Sequence, residues 1–367
     1  MYIALHLNMS NLHLFIKMAS GERTIVIQPG SRFLKIGLAK DAFPKLVPHV
    51  IARKSQSRPP SDPPSWSLPA EELKAALQDR NKQAKKKIPP NIYTSISSYN
   101  ASTEPQQIPL HNDSYAFEWT ATKGRPFICG KDALRINPEE GYQLTWPLKR
   151  GTIDRLRYTS YRDVSEDLEL IWRDAVEQHL QVNRSNFGDF AFMIVVPATI
   201  PGWEIKTYSE IILNGLRGKA VSFISEPVAS TFCAGISSGC VVDLGAQTTT
   251  ICCVEEGSVL PDSLIQLSFG GDDLTYLFYQ ILRHHNFPYK PSCDDLADSI
   301  DFDLLNDLRE RLCSLDEEDI SSQIYEFFVR RPSKTTLHFN FKILDERILP
   351  LEVFLHAEPE RNWLFKY

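Results

Sequence analysis

TIVIQPGSRFLKIGL, residues 24–38, and CVVDLGAQTTTICCV, residues 240–254, repeat one pattern in the two halves of the chain. Each is an apolar run, then a few turn residues that include glycine, then a second apolar run: a hairpin signature. Two such hairpins, one per half, point to a duplicated architecture with a cleft between the halves. Backbone N–H groups in glycine turns can converge on a phosphate from both sides. Taken alone, either hairpin reads more simply as an ordinary turn; the phosphate reading comes from their pairing.

Outward from the hairpins, the pattern alternates helices with buried strands. In DLELIWRDAVEQHLQV (167–182), Leu168, Ile171, Trp172, Ala175 and Leu180 recur at helical spacing. FAFMIVV (190–196) is a continuous apolar run before Pro197, as in a central strand buried on both faces. A helix over 206–217, the short run AVSFIS (220–225) and a helix in PVASTFCAG capped by Gly235 follow. GGDD (270–273) starts the amphipathic helix LTYLFYQILRHHNFPY, and residues 293–315 read as one or two further helices. Residues 336–349 read as a hairpin. RPFICGKDALRINPEEGYQLTWPLKRGTID (125–154) reads as a strand followed by turns. Residues 53–115 change character: a Pro- and Ser-rich stretch, an exposed helix over 70–87, then loop again, read together as an insertion on the first domain.

Composition excludes several classes. With 367 residues, 43% hydrophobic and 23% charged, the chain reads as two or three folded domains, not as a coiled coil, a collagen or a wholly disordered protein. Lys and Arg total 40 against 46 Asp and Glu, a net charge of −6, so any nucleic-acid contact must come from a local patch. The one candidate is Lys82, Lys85, Lys86 and Lys87 in the 53–115 stretch, either a solvated face or a DNA or histone contact and nuclear address. Seven cysteines without a CxxC pair fit neither a disulfide framework nor a zinc site and point to a reducing compartment. Cys252 and Cys253 face opposite sides of a strand and read as packing residues; His284 and His285 diverge on a helix and share no metal. GxSxG, HExxH and Walker A patterns do not occur, and no apolar run reaches the ~18 residues of a membrane span. Residues 1–19 read as a loose leader, not as a signal peptide.

From residue 24 to about 355, ordered segments resemble the actin and actin-related family. QPGSRFLKIGLAKDAFP resembles its first phosphate loop, and EPVASTFCAGISSGCVVDLG its helix, connector and second phosphate loop. LKRGTID with DLELIWRDAVEQHLQV resembles the segment with a Trp-bearing helix, while GGDDLTYLFYQIL and NDLRERLC resemble stretches flanking the base site. VPHVIARK, PLKRGTID and HNFPYK have the flavour of the nuclear members found in chromatin remodellers of the Ino-eighty type. The resemblance implies an α/β, two-lobed actin-like (ribonuclease H-like, duplicated) fold. The expected division is a first lobe at 20–233, with the insertion at 53–115, and a second at 234–367. The second lobe is expected to be incomplete, because the chain stops before the counterpart of the adenosine loop.

Carried over position by position, the resemblance places Gly30, Ser31, Lys35, Asp243 and Gly245 at nucleotide phosphates, and Arg309 with Glu310 at ribose and adenine. LRERLC reads equally as an amphipathic helix with its charges in water. Departures are concentrated at the site. Gln28 stands where the family has an aspartate of the magnesium shell, and Arg32 where it has glycine; the arginine would either crowd the phosphate or add a positive contact. Ala246 and Gln247 stand where the family has aspartate and glycine, Glu226 where it has a water-orienting glutamine, and Thr250 where it has a nearby histidine. Losing a carboxylate at each loop removes the main stabilisation of γ-phosphate charge, so the expectation is no enzyme, with ATP as a structural ligand and no metal site of its own. The implied role is a nuclear scaffold in transcription regulation and DNA repair, with a remodeller motor subunit, nuclear actin, other actin-related proteins and histones or DNA as partners and no membrane. An active ATPase or small-molecule kinase of the same superfamily, and a cytoskeletal filament subunit, are the competing readings.

Overall fold

The structure is a computed structural model that describes residues 23–54, 91–114, 116, 118–158, 160–291, 300–316, 322–344 and 346–351. The leader and the helix over 70–87 lie outside these residues. Two compact units divide the chain: Met1–Arg58 with Ala121–Ser268, and Pro59–Thr120 with Phe269–Tyr367.

The first unit is built on a five-stranded sheet whose order is 220–225, 191–196, 24–29, 33–38, 45–48. Thr24–Pro29 pairs in parallel with Ala191–Val196, which pairs in parallel with Ala220–Ser225; the two remaining neighbours are antiparallel. The expected central strand, Ala191–Val196, is thus an interior strand with a parallel neighbour on each side, the middle place being taken by Thr24–Pro29. Ile25, Ile27, Leu34 and Ile36 are fully buried in the same core as Leu168, Ile171, Trp172 and Ala175 of the helix Tyr161–Leu180. Each such aliphatic side chain contributes about 1.5–3 kcal/mol by leaving water. Ser160 opens this helix by accepting from the Asp163 N–H at 3.2 Å, and Gln181 closes it in the left-handed region at φ 56°. The helix expected over 206–217 begins earlier, at Gly202–Glu210, and runs on as a π-turn through Ile211–Gly215. The stretch expected as a strand and turns also contains a short helix, Gly130–Leu134.

The second unit has a three-stranded antiparallel sheet, 323–329, 336–343, 106–108, and the helices Ile92–Ser102, Gly271–His284 and Ile300–Leu312. Its core is aromatic: Phe327 stacks on Phe339 at 5.1 Å with planes 6° apart, and on Phe287 at 5.1 Å. Helix Gly271–His284 starts as expected, the Asp273 carboxylate accepting from the Gly270 N–H at 2.7 Å.

Two expectations are corrected. The last hairpin is formed by Gln323–Val329 with Thr336–Ile343 and does not span 336–349. The tail of the supposed insertion is not loop: residues 92–102 are helical despite poor helix formers, because Ile96 is buried and Asn100 is fully bonded. The Asn100 amide donates to the carbonyls of His285 and Lys342 at 2.9 and 3.0 Å and accepts from the Lys342 N–H at 2.7 Å. With Gln106–Ile108 paired to Thr336–His338, residues 91–113 therefore belong to the second unit. The division at 233/234 also differs from the compact units. Val241 and Val254 of the second hairpin pack on Met193, Ile224 and Val228, which keeps that hairpin in the first unit.

Candidate functional site

Both glycine hairpins fall in the first unit, and their turns share one backbone device. The Gly30 N–H donates to the Phe33 carbonyl at 3.1 Å, and the Gly245 N–H to the Thr248 carbonyl at 2.8 Å. A Cβ at Gly30 would stand 2.6 Å from that same Phe33 oxygen, and one at Gly245 2.9 Å from the Thr248 oxygen. The glycines are required by close approach of backbone, and the internal echo in the sequence is an echo in three dimensions.

A third turn ties the two together. Leu148–Lys149 and Thr152–Ile153 form a two-stranded hairpin with Arg150 and Gly151, both at positive φ, at its tip. The Gly151 N–H donates to Ser31 Oγ at 2.9 Å, and the Arg150 N–H to Gln247 Oε1 at 2.9 Å. Successive amides thus anchor the first and second turns. Gln247, noted in the sequence only as a departure, is a tether.

Beneath the turns sits a polar cluster. Gln28 and Lys35 are cross-strand partners on the first hairpin, and Gln28 Nε2 donates to Glu226 Oε1 at 2.8 Å. Glu226 is the first residue of helix Glu226–Cys233. Burial raises its carboxyl above the ordinary range; the Gln28 bond opposes this, the nearby Asp243 charge adds to it, and Lys35 draws it back. Gln28, Lys35, Glu226 and Asp243, far apart in sequence, form one electrostatic group.

His49 supports the first turn from below and is fully buried. The Trp172 indole N–H, which can only donate, bonds His49 Nε2 at 3.2 Å, so Nδ1 carries the proton and donates to the Gly30 carbonyl at 2.8 Å. Burial keeps this imidazole neutral, its pKa lowered to about 4. Nothing in VPHVIARK itself singles out His49; the available signal is the buried Trp172, whose N–H needs an acceptor. Arg32 is 5% exposed and its guanidinium lies 4.2 Å above the Trp146 ring, so the arginine is committed to packing.

Arg309 and Glu310 lie in the second unit. Arg309 Nε donates to Thr275 Oγ1 at 2.9 Å, and its Nη2 to Asn306 Oδ1 at 2.9 Å and Glu310 Oε1 at 3.2 Å. Arg309 therefore joins two helices and does not simply face water, while Glu310 is exposed. Lys82, Lys85, Lys86 and Lys87 lie outside the described residues. His285 is buried, and the structure brings Glu346 Oε1 to 3.4 Å from its Nε2, a neighbour 61 positions away that local spacing does not show.

The actin family profile matches residues 20–329. The chain belongs to the actin family. Among its relatives in that family, the protein called probable actin-related protein 8 of Schizosaccharomyces pombe is 32% identical over 356 residues, covering 90% of this chain and 54% of that protein. Actin-related protein 8 of Homo sapiens is 30% identical over 350 residues, 91% of this chain and 56% of that one. The chain thus spans about half the length of these curated relatives. The solved structure of human actin-related protein 8 in its ATP-bound state superposes with a TM-score of 0.82 at 28% identity, covering 94% of this chain and 71% of that chain. The actin-like α/β fold follows from both comparisons.

The residues present suit the phosphate end of a nucleotide. The amides of Ser31 and Ala246, one in each turn, make no hydrogen bond among the described residues, and Ser31 Oγ, which accepts from Gly151, keeps its O–H to donate. Lys35 adds an exposed positive charge. A hard cation is less well served: the Gln28 amide aims an N–H at the Glu226 carboxylate, and the side chain of residue 246 is a methyl group.

Proposed function

We propose that this chain is a non-catalytic, actin-related scaffold subunit of a nuclear chromatin-remodelling complex that carries ATP as a structural ligand. The similarity to actin-related protein 8 supports the class of protein, and the Gln28–Glu226 hydrogen bond supports the absence of turnover. In this reading Ser31, Ala246 and Lys35 hold phosphate oxygens, Gly30 and Gly245 let the turns close, and His49 fixes the first turn. ATP supplies phosphate oxygens that pair with the Lys35 charge and accept from the turn amides, stabilising the folded first unit by mass action. Glu226 is engaged by the Gln28 N–H through that hydrogen bond, which counts against a role as general base.

The scaffold would offer its surfaces to the remodeller motor subunit, to nuclear actin and other actin-related proteins, and to histones or DNA, and so serve transcription regulation and DNA repair. Lys82, Lys85, Lys86 and Lys87 are the proposed DNA or histone contacts. Co-purification of the tagged chain from nuclear extract tests the proposal. Recovery with a remodeller motor, actin and other actin-related subunits supports it; recovery with chaperones alone rejects it.

A further inference from the structure

The strand Gly239–Leu244 and its partner Thr249–Glu255 put Cys240 directly opposite Cys253. Period-two alternation sends Cys240, Val242 and Leu244 to one face, where Val242 and Leu244 are 56% and 62% exposed. Cys240 is exposed on that face and Cys253 partly exposed, whereas Cys252 is 1% exposed and belongs to the other side. Adjacent in sequence, Cys252 and Cys253 therefore have different chemistry: one packs in the core, the other meets solvent beside a second thiol.

Hydrogen bonding defines the geometry of the pair. The Cys253 N–H donates to Ser263 Oγ at 2.8 Å, and the Cys253 carbonyl accepts from the Leu260 N–H at 2.9 Å. Both backbone groups of Cys253 thus point away from Cys240, which makes 240–253 a non-hydrogen-bonded antiparallel pair. Such pairs bring Cα atoms to about 4.5 Å with side chains on the same face. A disulfide spans Cα separations of about 4.4–6.8 Å, so a pair of this type lies within its reach.

We propose that Cys240 and Cys253 are a redox modification site, a dithiol pair that closes to a cross-strand disulfide on exposure to a hydroperoxide. One thiolate attacks a peroxide oxygen, the O–O bond breaks, and a sulfenic acid and one water form. The second thiolate attacks that sulfur and the hydroxyl leaves as a second water. Two thiols are oxidised by two electrons in total and one hydrogen peroxide is reduced to two waters. The link staples the two strands on either side of the Gly245–Thr248 turn and does not depend on whether that turn binds nucleotide.

The test treats the folded full chain with hydrogen peroxide, blocks remaining thiols and digests without reductant using a protease that cuts after Asp and Glu. Cleavage at Asp243 separates Cys240 from Cys252 and Cys253, so a disulfide shows as joined peptides. The expected result is a joined pair with two thiols lost per chain, reversed by dithiothreitol, absent in Cys240→Ser and Cys253→Ser and retained in Cys252→Ser. A link that persists in Cys253→Ser, that joins two chains, or that forms only in denaturant overturns the proposal, as does separate over-oxidation of Cys240 with no link.

Discussion

A single atom decides the turns at Gly30 and Gly245. The Cβ of Gly30→Ala would meet a backbone oxygen at 2.6 Å, and that of Gly245→Ala at 2.9 Å, and neither oxygen can swing aside as a side chain would. Each substitution is expected to destabilise the first unit by roughly 1–3 kcal/mol, with Gly30→Ala the larger, read from urea midpoints at constant m. His49 gives a pH signature. Its ordinary value of 6.5 falls to about 4 on burial, so between these values the unfolded chain binds a proton that the folded chain refuses. The stability it contributes is complete above pH 6.5 and is lost as pH falls toward 4, about 3 kcal/mol in the limit. His49→Asn retains a donor for the Gly30 carbonyl, leaves the Trp172 N–H without its acceptor, and is expected to flatten this part of the stability–pH curve. An unchanged slope would show that another group carries it.

At the scale of elements, two helices make opposite points. Helix Tyr161–Leu180 is legible from its apolar spacing, yet it carries Asp174, whose carboxyl is pushed up to about 6 by burial, then by Asp132 and Glu177. The folded state favours the protonated form, so this contribution is present below pH 3.8 and is lost as pH rises through about 6. Asp174→Asn is expected to raise Tm at pH 7.5 and to leave it nearly unchanged at pH 3.5, the reverse of the His49 trend. Helix Ile92–Ser102 has little intrinsic tendency to form. Asn100→Ala strips the His285 and Lys342 carbonyls and the Lys342 N–H of their partner, at about 1–3 kcal/mol for each buried group left unsatisfied. Faster hydrogen exchange across 92–102 and 336–343, with 161–180 unchanged, is the expected readout.

For the whole molecule, nucleotide is the informative ligand. ATP at 100 times its Kd is expected to add about 2.7 kcal/mol to the stability of the chain. Because Gln28 and Ala246 supply no carboxylate, that gain is expected to survive EDTA with little loss. A Tm shift that vanishes on chelation would mean that Asp243 and Glu226 still organise a cation. Lys35→Ala is expected to reduce the shift without lowering the Tm of the ligand-free chain.

By itself the sequence determined the periodic and the punctuated parts of this protein: two glycine hairpins, the helix with Trp172, the buried interior strand 191–196, and the GGDD helix start. These are legible because side-chain period and turn chemistry are local properties of the chain. The resemblance drawn from those same stretches led to the actin family. Only the tertiary structure decided where residues 91–113 belong, since a polar helix held by one asparagine and a strand paired 230 positions away leaves no local trace. The same holds for the bond between Gln28 and Glu226, the support that His49 gives Gly30, the tethers from Arg150 and Gly151, and Cys240 facing Cys253. Each joins residues from different elements, and the free energy of such a contact depends on burial and on a partner's position, which chain order does not encode.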